Sequence, residues 1–134
     1  MSSYLGASQA GTQMAVLAAG VSLSTTVTTP QAVCVPAQKC IPLYCVLRGN
    51  AVALDASATV SLGTTGALTS YISARALTSL PTTVAYVATC FAPNVTSFTP
   101  GANLATAGVT IYASLTQTST AVSILADLIG YLVP

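Results

Sequence analysis

The chain has 134 residues, enough for one domain to bury most of its apolar surface without metals or disulfides. Hydrophobic residues make up 53% and charged residues 4%, with three Lys or Arg, two Asp, no Glu and no His, for a formal net charge of +1. An ordinary soluble domain is about one quarter charged, so this surface has to be built from Ser, Thr, Ala, Asn and Gln, and little charge holds copies apart.

These numbers exclude several function classes. Lys39, Arg48 and Arg75 do not cluster, so a run of phosphates would go unneutralised and nucleic-acid binding is excluded. Every apolar stretch is broken by Ser, Thr or Gly well before the ~18 residues a membrane-spanning helix needs. The stretch before the apolar residues 14–23 carries no Lys or Arg, which a secretory leader requires, so the expectation is synthesis in a host cytoplasm without a targeting signal. General acid-base chemistry has only Asp55 and Asp127 to draw on, far apart in sequence, and the chain is expected to be no enzyme.

Residues 1–13 (MSSYLGASQAGTQ) are small and polar without periodicity, and residues 14–19 are too few to decide between a short helix and a strand before Gly20. The expected organisation is a flexible N-terminal arm over 1–20 and a single β-sandwich domain over 21–134. From Val21 the pattern alternates, with Val21, Leu23, Thr25 and Val27 on one face. Pro30 and Pro36 bracket a short or edge strand at 31–35, because each proline removes a ladder donor.

Residues 41–48 (IPLYCVLR) put Ile41, Leu43, Cys45 and Leu47 on one face and Pro42, Tyr44, Val46 and Arg48 on the other. Gly49-Asn50 then suits a two-residue hairpin into 51–54. A strand at 58–62 is stopped by the turn GTTG at 63–66. Residues 68–77 fit a helix or a strand, with strand preferred, and 84–91 (VAYVATCF) form a strand between Pro81 and Pro93. A loop over 92–108 holds one short strand or turn at 95–98. Residues 109–116 and 122–132 then alternate, predicting a long antiparallel hairpin over 109–134. The sum is an all-β chain: an antiparallel β-sandwich, jelly-roll-like, of about eight strands.

Cys34, Cys40 and Cys45 follow a C-x5-C-x4-C spacing with Cys90 far downstream, unlike the paired C-x2-C knuckles of zinc sites. Reduced buried thiols lead over disulfides and over metal, and no cofactor, metal ligand or catalytic residue is assigned. Lys39 beside Cys40 could lower a thiol pKa, but a cation on a turn between two prolines is the simpler reading. GANLATAG at 101–108 lacks the Lys-Ser/Thr of a phosphate loop, and Asn94-Val95-Thr96 is a chance glycosylation triplet.

Asp127 sits in an apolar run, on the face shared by Leu125, Ile129, Tyr131 and Val133. A lone carboxylate there is costly to bury, so either Arg48 or Arg75 partners it, from the same or a neighbouring copy, or it stands exposed on an open face. The four apolar neighbours leave that face too apolar for water. Leu125, Asp127, Ile129, Tyr131 and Val133 are therefore the candidate interface.

Ile41-Pro42-Leu43-Tyr44, VSLGTTG at 60–66, FTPG at 98–101 and the ending at 108–133, in that order, resemble the small β-sandwich structural proteins of tailed bacteriophage virions, the capsid decoration or cement type. The resemblance covers residues 41–133 as an order of blocks. It implies a virion protein on the capsid surface, a homo-oligomer with a trimer as the expected form, whose partners are its own copies and the major capsid protein, with no nucleic acid and no membrane. It carries over no catalytic residue. Two alternatives come from other classes: a subunit of an extracellular filament or pilus assembled by strand exchange, and a metal-binding or thiol-active module.

Overall fold

Val, Ile and Thr in alternation suit a pleated surface better than a helix, and in the computed structural model every element among the described residues is a strand. The structure describes residues 14–24, 30–48, 57–77, 85–89, 104–116 and 123–133. The strands are β1 (Met14–Ser24), β2 (Gln31–Cys34), β3 (Cys40–Arg48), β4 (Thr59–Thr64), β5 (Ala67–Ala76), β6 (Ala85–Thr89), β7 (Ile111–Thr116) and β8 (Ser123–Leu132). They form two four-stranded sheets, sheet A in the order β1-β8-β3-β6 and sheet B in the order β2-β7-β4-β5. Every pairing is antiparallel.

This wiring is a jelly roll. β1 pairs with β8, β2 with β7, β3 with β6 and β4 with β5, as if one long hairpin with its tip at Thr65-Gly66 had been wrapped around a core. Only the β4–β5 connection stays within a sheet; the others cross from one sheet to the other. The expected hairpin over 109–134 is thereby corrected. β7 pairs with β2 and β4, whereas β8 pairs with β1 and β3, so the two strands face each other across the core. Their alternation is real: Ile111, Ala113 and Leu115 point inward from one sheet, and Ile124, Ala126 and Leu128 from the other.

The core between the sheets is completed by Leu23 of β1, Val33 of β2, Cys40, Cys45 and Leu47 of β3, Val60 and Leu62 of β4, and Tyr71 and Ile72 of β5. On β3 the expected face of Ile41, Leu43, Cys45 and Leu47 is not what forms. The ladder with β8 slips between Pro42 and Tyr44, so Cys40 and Pro42 face inward before the slip and Cys45 and Leu47 after it, while Ile41 and Leu43 are half-buried. One extra residue reverses parity, because side chains alternate with a period of two. Gly130 lies opposite Pro42 beside this slip, where a Cβ would collide with the carbonyl oxygen of Ile41. The β3 backbone can approach β8 this closely only over a glycine.

β1 begins at Met14, ahead of the expected start at Val21. Its pairing with β8 shifts at Val16/Ala18 and again at Ala18/Val21, a double irregularity that holds Gly20 at φ +63°. β2 is short and at the edge of sheet B, as the two prolines require. The strands β5 and β6 form where expected, while β4 runs on through Gly63 and Thr64, so of the expected turn at 63–66 only Thr65 and Gly66 leave the strands. The expected hairpin from Gly49-Asn50 into 51–54, the short element at 95–98 and Cys90 lie outside the described residues.

Candidate interaction surface

The two outer faces of the sandwich differ in chemistry. On sheet B, Thr59 faces Thr116 and Ser61 faces Ser114, with the two threonine hydroxyls 2.6 Å apart. Hydroxyls line this part of the face, and the next row brings Tyr112 of β7 opposite Ala32 of β2. On sheet A the register sets side chains into rows across β1, β8 and β3. Met14, Tyr131 and Ile41 make one row and Val16, Ile129 and Tyr44 the next. Asp127 lies beside Val46, and Ser22, Leu125 and Arg48 close the far end. Directly opposed residues of an antiparallel pair share a face, so the first two rows form one continuous apolar surface.

The expected interface residues therefore fall on this face. Leu125, Asp127 and Ile129 are half-buried along β8, Tyr131 is exposed, and Val133 sits just past the strand end. The Val133 N–H donates to the Lys39 carbonyl at 2.8 Å, and its own carbonyl accepts from Gln38 Nε2 at 3.2 Å. Reading from sequence missed Met14 and Val16, which had been assigned to the arm, and placed Ile41 inward. Among the described residues Val16 is the most exposed large apolar side chain, at 64%.

Asp127 has its partner within the chain. Its Oδ1 accepts from Arg48 Nη2 at 3.0 Å and from the Gly20 N–H at 2.7 Å. Three strands of sheet A meet at this one oxygen: β8 supplies the carboxylate, β3 the guanidinium, and the irregular part of β1 an amide turned away from its ladder. The Gly20 bond holds the carboxyl below its ordinary value. Burial opposes this, and Arg48 adds to the lowering. Arg75 lies on β5, opposite Val60 in the other sheet.

The three described thiols are shifted away from activation. Burial pushes Cys34 up to about 11 with a further push from Cys40, and it pushes Cys45 up to about 12 with a further push from Asp127. The Cys40 thiol is also raised by burial, contrary to the lowering that its neighbour Lys39 suggested. Cys34, Cys40 and Cys45 are free, and no three potential metal ligands come together among the described residues. A shallow cavity of about 320 Å³ on the sheet B side is lined by Pro30, Thr65, Leu68 and Tyr112, which supply neither a carboxylate nor a cation.

No family model and no curated protein matches the chain. Among solved structures, the chain is similar to one in the capsid asymmetric unit of cyanophage Pam1, at 21% identity over 92% of this chain and 87% of that one, with a TM-score of 0.49.

Proposed function

We propose that the chain is a non-enzymatic virion structural protein that self-associates, as a trimer, and binds the surface of a capsid as a decoration or cement protein. The observation that carries this reading is the asymmetry of the sandwich: β4 and β7 of sheet B pair Thr59 with Thr116 and Ser61 with Ser114, while sheet A shows two apolar rows. Jelly rolls also serve as lectin and metal-dependent domains, but a chain without His or Glu has little to offer a catalytic metal. Leu125, Asp127, Ile129, Tyr131 and Val133 are the β8 share of the proposed contact, and the partners are copies of the chain and the major capsid protein.

Light scattering coupled to size-exclusion chromatography at dilute concentration tests the premise. The expected result is a discrete oligomer of the 13.3 kDa chain. A stable monomer removes the reading. Fibres under the electron microscope would transfer it to a strand-exchange filament.

A further inference from the structure

β1 is an outer strand of sheet A, and among the described strands it pairs with β8 alone. Its two halves are held differently. In the second half Leu23 is fully buried in the core, and Ser24 is gripped from sheet B. The Ser24 N–H donates to Gln31 Oε1 at 3.0 Å, and its carbonyl accepts from Gln31 Nε2 at 3.1 Å. In the first half no residue from Met14 to Gly20 is buried, and Leu17 and Ala18 pack against the core only as partly buried side chains.

The halves meet at a break in the ladder. Ala18 is opposite Leu128 and Val21 opposite Ala126, so Ala19 and Gly20 both stand across from the single residue Asp127. Gly20 is held there at φ +63°, in the left-handed region, and a Cβ on it would meet nothing within 4 Å. Backbone conformation, not crowding, calls for glycine at this point. The Asp127 carboxylate closes the break. Its Oδ1 accepts from the Gly20 N–H at 2.7 Å and from Arg48 Nη2 at 3.0 Å, which ties the irregular part of β1 to β8 and β3.

We propose that residues 14–20 are a strap on the edge of sheet A, hinged at Gly20 and latched by the Asp127 carboxylate, which opens from β8 while Leu23 and Gln31 keep the rest of β1 in place. The inference concerns how one chain holds its own edge strand and stands apart from the proposed self-association.

Stability within a fold is uneven, and segments with few buried contacts open at free energies below that of global unfolding. Half a strand with no buried residue, lying beyond a ladder break, is such a segment. Opening frees the β8 backbone from Leu128 to Tyr131 on the side that Met14 to Ala18 now occupy, and leaves an edge with which an extended segment can pair. The latch is sensitive to acid. Arg48 on β3 is the charged group that faces Asp127, the Cys45 thiol on the same strand lies near it, and residues 14–24 carry no ionisable side chain. Protonation therefore removes the charge that holds Gly20, and β1 supplies no replacement.

Native-state amide hydrogen exchange, read residue by residue by NMR in increasing sub-denaturing urea, tests the strap. The β8-facing amides of residues 14–20 are expected to exchange faster than those of 21–24 and with little dependence on urea, because a small opening exposes little surface. Equal rates and equal urea dependence in the two halves would mean that β1 leaves β8 only with the whole fold, which overturns the inference. Asp127→Ala is expected to speed exchange of 14–20 by about tenfold or more, the scale of one hydrogen bond to a charged group. An unchanged rate there overturns the inference, whatever the variant does to the melting temperature. Should the variant lose its β-sheet circular dichroism, the parent protein supplies the readout. With the intrinsic pH dependence of exchange divided out, protection of 14–20 is expected to fall as pH drops below the ordinary carboxyl value of 3.8, and constant protection overturns the inference.

Discussion

Asp127 would be an anomaly on an apolar face if its charge were not already spoken for by Gly20 and Arg48. The two bonds are unequal. The Arg48 side chain is 44% exposed, so water screens that ion pair and its contribution is small. The Gly20 amide, turned out of the β1 ladder, has its bond to this carboxylate at 2.7 Å, and a hydrogen bond to a charged group is worth about 1.5–3 kcal/mol. Because the folded carboxyl ionises below its ordinary value of 3.8, the unfolded chain holds that proton more tightly. Its stabilisation is therefore complete above that ordinary value and drains away as pH falls through the lower folded value. Asp127→Asn should lower the melting temperature at pH 6 and flatten its fall relative to the parent as pH drops below the ordinary value of 3.8. Parallel melting curves for the two proteins through that window would show the carboxylate to be a bystander.

At the scale of elements, β3 carries two thiols into the core, and their cost appears on the alkaline side. Cys45 is fully buried, and its folded pKa is raised to about 12 from 9.0. A raised pKa favours the fold fully below the unfolded value, and that share is lost as pH climbs from 9.0 towards about 12. Cys45→Ala should therefore weaken the alkaline fall of stability, and Cys45 in the parent should resist thiol-labelling reagents at pH 8 until denaturant is added. Rapid labelling of Cys45 in the native protein would contradict the burial that sets its pKa.

The same strand shows what a sequence can reveal about such a fold. The alternation in 41–48 is visible, and it marks β3 correctly as a strand. The slip between Pro42 and Tyr44 that moves Ile41 off the core depends on Gly130 of β8, which is far away in sequence. Likewise the apolar residues of β7 and β8 announce a buried face on each strand without saying which strand lies beside it, and so two strands in opposite sheets were expected to pair. Met14 and Val16 escaped notice because Ala15, Ala18, Ala19 and Gly20 blur the alternation around them. The outer face of β8 was legible, since Leu125, Ile129 and Tyr131 alternate cleanly with Ile124, Ala126 and Leu128. Its extension over β1 and β3 required the register.

For the whole molecule, what distinguishes this sandwich is how little charge it has with which to regulate association. With 4% charged residues and a net charge of +1, long-range repulsion between copies is almost absent at any ionic strength. A contact made of Met14, Val16, Ile129 and Tyr131 against other apolar side chains draws on removal of apolar surface from water, which simple salt does not screen. Raising sodium chloride from about 0.05 to about 1 M shortens the screening length from over ten ångström to ~3 Å, and that should leave the dissociation midpoint of the proposed oligomer nearly unchanged. Ammonium sulfate at the same ionic strength should tighten it, because excluded salts strengthen apolar burial. The Arg48–Asp127 pair gives an internal control, since its exposed guanidinium is the kind of contact that salt does weaken. Both measurements are read by light scattering across a dilution series. An oligomer that falls apart in sodium chloride would have to be held by charge, and the apolar rows of sheet A carry none.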